Sequence, residues 1–239
     1  MSFTRATKAD SFGRIALCGT AGSGKTYSAL RLSSLLRPQP RIAVIDTERG
    51  SASKYSDIFV FDVMNLESFE ADRFVTGIRE AARAGYNCII IDSLSHAWAG
   101  TGGILDATDE VTRRSKSSNS YTAWRETTPQ HNALIDAMLQ APMDVIVTMR
   151  TKTEYILEVN AKGQMQPKKV GMAPVQRAGM EYEFDIVGDM DNGTLVVTKT
   201  RCPALTDKSF HHPSEDLASK ISTWLGAMPT VPQPDALQE

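Results

Sequence analysis

The sequence lacks any long hydrophobic run and any strong excess of charge. No 18 consecutive apolar residues occur, and no apolar run follows the charges of the N-terminus MSFTRATKAD, so neither a membrane-spanning helix nor a secretory signal is predicted. With 26 Lys and Arg against 28 Asp and Glu, the formal net charge is -2. This balance excludes DNA binding through bulk positive charge, so any contact with nucleic acid must be local.

Cysteine is scarce, and its spacing excludes common paired motifs. The three cysteines, Cys18, Cys88 and Cys202, form no CxxC pair, and the first two lie in apolar, strand-like runs. Reduced, buried thiols are expected at such positions. We therefore expect a cytoplasmic protein.

What remains is the composition of an ordinary globular chain. Hydrophobic residues make up 41% and charged residues 23% of 239 residues, enough to bury one substantial core. The last residues contain three prolines and no apolar periodicity. We expect a single domain over residues 1–228 and a flexible tail over residues 229–239.

Strand-like and helix-like segments alternate in the first two thirds. Short runs rich in Ile and Val predict buried strands, and longer segments with helical spacing predict helices, one of which contains Pro129 and is expected to kink or restart there. Such alternation favours an α/β fold with a mainly parallel central sheet, helices on both faces and ligands at the carboxyl ends of the strands. The predicted strands are residues 14–18, 41–46, 87–92 and 144–149, and the predicted helices are residues 25–36, 66–84 and 122–139.

The pattern changes after Met149. Segments at residues 155–159, 182–187 and 194–200 look like antiparallel strands, and they are joined by turn signals such as DNG at residues 191–193. We therefore expect antiparallel strands to extend the sheet in the C-terminal third.

A phosphate-binding loop is the most specific motif. Residues 19–26 read GTAGSGKT, which matches GxxxxGKT between an apolar strand and a helix. Backbone N–H groups of the loop would face a phosphate, while Lys25 reaches the β and γ phosphates and the Thr26 hydroxyl ligates magnesium. ATP and Mg²⁺ are the predicted cofactors. The predicted nucleotide-binding residues are Gly19, Thr20, Ala21, Gly22, Ser23, Gly24, Lys25, Thr26 and Tyr27.

Two more apolar strands end in carboxylates. The first has the form of a Walker B strand, and its terminal Asp92 is predicted to hold magnesium together with Thr26. The second ends in Asp46, which is expected to order the strand end, and Glu48 follows just beyond. A carboxylate there could orient water in line with a γ-phosphate, but spacing alone leaves an exposed loop residue equally open.

The order of these motifs resembles the ATPase core of RecA-family recombinases, in which a P-loop precedes a strand ending in Asp-x-Glu and a Walker B strand. The resemblance implies that Glu48 is the general base that polarises the attacking water. The late strand LVVTKTRCP at residues 195–203 also resembles the family, whose two basic residues reach the γ-phosphate of a neighbouring subunit. By this resemblance Lys199 and Arg201 act in trans, whereas the residues alone indicate a solvated edge strand.

One segment departs from the family pattern. RecA-family recombinases carry a polar amide after the fifth strand to sense the γ-phosphate, but this chain reads VTMRTK at residues 147–152. Arg150 could make that contact through its charge, or Thr148 through its hydroxyl. Arg150 is the candidate sensor, and it completes the predicted catalytic set of Lys25, Glu48, Arg150, Lys199 and Arg201.

Two basic segments stand where the resemblance places DNA-binding loops. The first, residues 112–121, is predicted to be a flexible loop, and the second covers residues 151–179, where residues 160–163 could turn a hairpin and Tyr155 offers a stacking surface. Composition alone favours solvated surface, whereas the position in the fold favours phosphate contacts. The candidate DNA-binding residues are Arg113, Arg114, Lys116, Lys152, Lys162, Lys168, Lys169 and Arg177.

Over roughly residues 10–210, the chain is similar to small RecA-like ATPases of bacteriophages that act as single-strand annealing or recombination proteins. This implies a DNA-stimulated ATPase that binds single-stranded DNA, hydrolyses ATP between subunits of a homo-oligomeric ring or filament, and has a single-strand-binding protein as a further candidate partner. No membrane partner is expected, and a chain encoded by a bacteriophage would act in the host cytoplasm. A RecA-fold helicase, a small-molecule kinase and a nucleotide-gated packaging component are the alternatives. No arginine-rich lid segment lies between the P-loop and Asp92 to support a kinase, although the segment from Thr151 could serve as one.

Four aromatic residues have no assignable role in this scheme, and buried packing is expected for them. They are His96, Trp98, Trp124 and His131.

Overall fold

One nine-stranded sheet forms the centre of the protein. The computed structural model describes residues 3, 5, 7–8, 11–114, 120–159 and 165–226. In these residues the strands are β1 (Arg14–Gly19), β2 (Ile42–Asp46), β3 (Asp62–Asn65), β4 (Cys88–Asp92), β5 (Asp144–Val159), β6 (Met165–Pro174), β7 (Ile186–Asp191), β8 (Thr194–Thr200) and β9 (Ser209–His211). The helices are α1 (Lys25–Leu36), α2 (Ala71–Arg83), α3 (Ser95–Ala99), α4 (Ile104–Arg114), α5 (Ser120–Gln140) and α6 (Glu215–Leu225).

The strand order is β3-β2-β4-β5-β1-β7-β8-β9, and β6 pairs with the outer part of β5. The strands from β3 to β7 in this order are parallel, whereas β8 and β9 are antiparallel to their neighbours. The carboxyl ends of β1, β2 and β4 therefore meet at one edge of the sheet. This topology confirms the predicted α/β fold with a mainly parallel sheet and antiparallel C-terminal strands, which is the architecture of a P-loop NTPase.

Alternation along each strand builds two apolar layers. Ile15 and Leu17 of β1 pack with α1 and α6 on one face of the sheet, while Ala16 and Cys18 pack with α2 and α5 on the other. Successive side chains of a strand point to opposite faces, and helices cover both faces here. The loop that leaves β1 is thereby held on a rigid support.

Some predicted elements are wrong in detail. Residues 182–187 are not an antiparallel strand: Met180–Glu183 form a 3-10 helix, and β7 then runs parallel to β1. The helix expected over residues 66–84 begins only at Ala71, because residues 66–70 bind other segments instead: the Leu66 N–H donates to Asp46 and the Phe69 N–H to Thr101. No restart occurs at Pro129, which lies inside the single helix α5.

The strand β5 extends beyond the sheet into a long hairpin. Its first residues pair with β1 and β4, and from Thr151 onwards it pairs with β6 in antiparallel register, Thr151 opposite Pro174 and Val159 opposite Met165. The arms of the predicted hairpin are thus confirmed. Its predicted turn at residues 160–163 and the predicted tail lie outside the described residues.

No helix among the described residues is long and apolar enough to cross a membrane.

Candidate nucleotide site

The phosphate-binding loop connects β1 to α1 at the carboxyl edge of the sheet. Gly22 and Gly24 have φ angles of 77° and 94°, a left-handed conformation that glycine adopts readily because it has no Cβ. At Gly19 a Cβ would lie 2.6 Å from a carbonyl oxygen of β7 and 2.6 Å from Ser23 Oγ. The loop is therefore tightly wound, with backbone N–H groups available to an anion.

Lys25 lies across this loop. Its Nζ donates a hydrogen bond to the Thr20 carbonyl oxygen at 2.7 Å. Burial lowers the pKa of Lys25, the Asp92 and Glu48 carboxylates oppose this shift, and Arg150 adds to it. The lysine thus shares one electrostatic environment with the three charged residues that the sequence assigned to metal binding and hydrolysis.

Hydrogen bonds join the loop to the ends of β4 and β5. The Thr26 hydroxyl donates to Asp92 Oδ2 at 2.8 Å, and the Thr148 hydroxyl donates to Asp92 Oδ1 at 2.5 Å. Burial raises the pKa of Asp92, while the two hydroxyl donors oppose the rise. Thr148, the alternative γ-phosphate sensor, already donates its one hydroxyl proton to Asp92, so it does not fit that role.

Arg150 donates two hydrogen bonds to Glu48. Nε donates to Oε1 at 3.0 Å and Nη2 to Oε2 at 2.5 Å. The Arg150 side chain is 49% exposed and that of Glu48 26%, so the pair contributes little to folding stability. Arg150 stands opposite Gly19 in the β1–β5 register. The fold therefore brings the candidate base and the candidate sensor together beside the P-loop, although 102 positions separate them in sequence.

The position of Glu48 depends on the turn after β2. Asp46 Oδ1 accepts from the Glu48 N–H at 2.6 Å, and Oδ2 accepts from the Ala52 N–H at 2.9 Å. This confirms that Asp46 orders the strand end.

His96 is a neighbour of the site that sequence reasoning assigned to packing. Its Nδ1 lies 2.7 Å from Thr47 Oγ1, and its ring stacks on Phe69 with centroids 4.8 Å apart. Burial lowers the pKa of His96 and Arg150 lowers it further, so the neutral ring is favoured. An open cavity of about 730 Å³ lies here, lined in part by His96, Glu48 and Arg150. A lone histidine carries no sequence signal for this placement.

The residues of this edge fit a magnesium nucleotide. Ser23 Oγ is buried and has no hydrogen-bond partner among the described residues, and the Thr26 hydroxyl and Asp92 carboxylate supply the hard oxygen ligands that Mg²⁺ prefers. Lys25 adds the positive charge that a phosphate chain requires. When bound, the nucleotide would supply the phosphoanhydride bond that is cleaved.

Comparison with protein families agrees with this geometry. The profile of the family AAA_24, described as an AAA domain, matches residues 11–209. The chain belongs to this AAA-domain family. It is therefore a P-loop ATPase, as the loop and the carboxylates at the strand ends predicted.

The other comparisons are more distant. Among curated proteins, none matches the sequence of this AAA-domain ATPase. Among solved structures it is similar to the pCW3 conjugation coupling protein TcpA, in its monomer form with ATPgS, with a TM-score of 0.45 and 13% sequence identity. The match covers 89% of this chain and 65% of that chain, so the ATPase spans less than two thirds of the coupling protein.

Lys199 and Arg201 lie far from their own P-loop. Because β8 runs antiparallel to β7, the pair lies at the edge of the sheet where β1 begins. Two backbone hydrogen bonds mark this position. The Arg201 N–H donates to the Asp185 carbonyl oxygen, and the Asp185 N–H donates to the carbonyl oxygen of Arg14, the first residue of β1. Five residue steps of a parallel strand span about 17 Å, so neither side chain reaches the loop of its own chain. Their contacts here are with the segment before β7: Lys199 Nζ donates to the carbonyl oxygens of Glu181, Tyr182 and Phe184, and Arg201 binds Asp185 Oδ1 at 2.9 Å.

The candidate DNA-binding residues fall into two places. The predicted loop at residues 112–121 is wrong at both ends: Arg113 and Arg114 lie in the exposed last turn of α4, and α5 already begins at Ser120. Lys152 and Arg177 both line a cavity of about 460 Å³ at the base of the hairpin. Lys168 and Lys169 belong to β6, and Lys116 and Lys162 lie outside the described residues.

Tyr27 contributes to packing rather than to phosphate binding by its side chain. Its ring meets Tyr55 and Phe59 edge-on, with centroids 6.0 Å and 5.4 Å away. Only its backbone N–H, in the first turn of α1, remains for a nucleotide. The ring of Trp98 likewise packs on Trp124, 5.8 Å away between centroids, in agreement with the packing role expected for the tryptophans.

Proposed function

We propose that this ATPase uses Mg²⁺–ATP, binds single-stranded DNA and works as a homo-oligomer in recombination or strand annealing. The observation that carries the proposal is the Glu48–Arg150 contact at the root of the hairpin. Arg150 is the last β5 residue in register with β1, and the hairpin pairing begins at the next residue, Thr151. One residue therefore belongs both to the hydrolytic site and to the base of a projecting basic element.

Charge at the hairpin base supports a nucleic-acid ligand. Lys152 is exposed and Arg177 partly exposed, and both line the same cavity. Two cations on a concave surface suit a phosphate backbone, which needs local contacts when net charge is near zero. Two carboxylates, Glu181 and Asp189, line the same cavity, and burial raises the pKa of Asp189.

A mechanical link from DNA to hydrolysis follows from this arrangement. Ligand binding that shifts the hairpin base would move Arg150, since its carbonyl oxygen accepts the Val175 N–H at 2.7 Å and its N–H donates to Ser95 Oγ at 2.9 Å. Movement of Arg150 changes the hydrogen bonds of Glu48 and hence its access to water. The ATPase rate should therefore rise when single-stranded DNA is added, and equal rates with and without DNA at saturating ATP would contradict this link.

Removing the basic residues of the first segment should weaken DNA binding. For the combined change Arg113→Ala, Arg114→Ala and Lys116→Ala we expect a lower affinity for single-stranded DNA and a shallower salt dependence, because fewer counterions are released. Each lost phosphate contact should reduce the logarithmic salt slope by about 0.7. Fluorescence anisotropy with a labelled oligonucleotide over a salt series measures both quantities.

The matched control removes three exposed arginines from α2, Arg73, Arg79 and Arg83, so it has the same change in charge. Only the first variant should show a shallower dependence of DNA affinity on salt concentration. Equal slopes for both variants and the unmodified protein would exclude the end of α4 as a DNA contact.

Lys199 and Arg201 should complete the site of a neighbouring subunit. Chains carrying Lys199→Ala and Arg201→Ala are mixed with chains carrying Glu48→Gln, each nearly inactive alone. In the mixed assembly, some subunit interfaces place the intact Glu48 of one variant opposite the intact Lys199 and Arg201 of the other. ATP turnover should therefore partly return. This expectation rests on the distance of the pair from its own loop.

Two controls accompany the mixing experiment. Each variant is first assayed alone at the total protein concentration of the mixture, where it should show no recovery of ATP turnover. Light scattering establishes that the two variants assemble together. Thermal melting checks the double variant, because its contacts with residues 181–185 are lost. If co-assembled mixtures show no more turnover than the separate variants, the pair does not act in trans.

A further inference from the structure

The P-loop has a second flank, formed by the β7–β8 turn and the end of β9. The strand order puts β5, β4 and β2 on one side of β1, and β7, β8 and β9 on the other. Glu48, Asp92 and Arg150 all lie on the first side. Residues 191–194, together with His211 and His212, all lie on the second side.

If the protein uses ATP as proposed, the placement of Glu48, Asp92 and Arg150 on one side of the P-loop determines how the nucleotide is oriented. The γ-phosphate must point towards the base and the metal ligand, which are on the β4 and β2 side of the loop. A triphosphate chain held along the loop then carries its nucleoside away from that side. The nucleoside end consequently lies over the β7–β8 turn.

The turn is fastened directly to the P-loop. The Gly193 N–H donates to the Ser23 carbonyl oxygen at 3.1 Å, and a Cβ on Gly24 would lie 3.6 Å from Gly193 Cα. Asn192 and Gly193 have φ angles of 45° and 76°, as expected for the two central residues of a tight hairpin turn. This surface therefore stands at a fixed place beside the phosphate site.

His212 lies on this turn. Its N–H donates to the Gly193 carbonyl oxygen at 2.8 Å, and its ring occupies the space above Gly193, where a Cβ would be 2.5 Å from His212 Cε1. The His211 ring supports it, with centroids 4.2 Å apart, and His211 Nδ1 lies 3.1 Å from Thr194 Oγ1. Both histidines are exposed.

The segment that carries these rings is also bound to the P-loop helix. Glu215, three residues after His212, forms an ion pair with Arg31 of α1 at 2.7 Å. The rings are thus held between two attachments, the turn and α1. The two ring planes are tilted by 52° to each other, so the exposed His212 ring, held in place beside the turn, is the surface on which a base could stack.

We propose that His212, supported by His211, is the platform on which the nucleobase of the bound nucleotide stacks. The platform contributes to the affinity for a nucleoside triphosphate and leaves the affinity of the P-loop for phosphates unchanged. Its role is in binding and not in hydrolysis, because it lies on the flank opposite Glu48.

The test compares ligands with and without a base. Dissociation constants for Mg²⁺–ATP and Mg²⁺–tripolyphosphate are measured by calorimetry on the full chain, for the unmodified protein and His212→Asn. Asparagine tolerates the φ of 51° at this position but has no ring. His212→Asn should weaken ATP binding about tenfold, the size of effect that loss of one stacked ring produces, and leave tripolyphosphate binding unchanged.

The control is Ser209→Ala, an exposed residue of the same strand β9 farther from the loop, which should change neither constant. Unchanged ATP affinity in His212→Asn overturns the platform, as does equal weakening for both ligands. If the unmodified protein binds ATP and tripolyphosphate equally well, the platform is excluded while the P-loop function stands. If it binds neither, the proposed use of ATP fails as well.

Discussion

Replacing Lys25 with alanine should abolish ATP turnover, with a decrease of at least about 10²- to 10³-fold, the loss that follows removal of one group that stabilises developing charge. The side chain provides the positive charge of the loop and lies within the fields of Asp92 and Glu48. Its one hydrogen bond within the described residues is to the Thr20 carbonyl oxygen, so the substitution costs about 1 kcal/mol of folding stability. Steady-state phosphate release and calorimetric ATP binding measure the effect.

A matched lysine is available for comparison. Lys54 is exposed in the 3-10 helix Ala52–Tyr55, and Lys54→Ala removes the same charge away from the loop. It should keep normal turnover, and both variants should melt within a few degrees of the unmodified protein. Normal ATP turnover in Lys25→Ala would refute the assignment of this loop to the phosphates.

Replacing Glu48 with glutamine should preserve ATP binding and slow hydrolysis by about 10²- to 10⁴-fold, the usual contribution of a positioned general base. Glutamine has nearly the same shape but cannot accept a proton from water. It also keeps only one acceptor oxygen for Arg150. Since that ion pair is substantially exposed, its weakening should scarcely change folding stability. Single-turnover hydrolysis, with binding measured separately, distinguishes the two effects.

Glu67 provides the control, because it is exposed and lines the same cavity. Glu67→Gln should hydrolyse ATP at close to the normal rate. If Glu48→Gln also retained full turnover, Glu48 would be a structural partner of Arg150, and another group would have to activate water.

The predictions that succeeded had strong local signals. Residues 19–26 carry a motif with little tolerance for substitution, and α1 and β8 match their predicted bounds because helical spacing and alternation were clear there. The predicted strand at residues 182–187 failed because a short apolar alternating segment does not distinguish a 3-10 helix followed by a strand from one strand. Residues 112–114 failed because the basic end of a helix resembles a basic loop in composition.

The site partnerships required a different kind of information. Arg150 was expected to contact phosphate, and its contact with Glu48 follows from the register of β1 with β5 and the point where β5 leaves the sheet. His96 was expected only to pack, and no sequence signal marked His212, since their surroundings come from neighbours distant in the chain, such as Thr47 and Gly193.

Local sequence was therefore sufficient for the fold class, the phosphate loop and the acidic ends of β2 and β4, because each is encoded by a few consecutive residues with a characteristic backbone geometry. Tertiary structure was needed to pair Arg150 with Glu48, to separate Lys199 and Arg201 from their own loop, and to bring His211 and His212 to the opposite flank. Those arrangements depend on strand order, direction and register. Such properties result from packing the whole sheet, and no short segment specifies them.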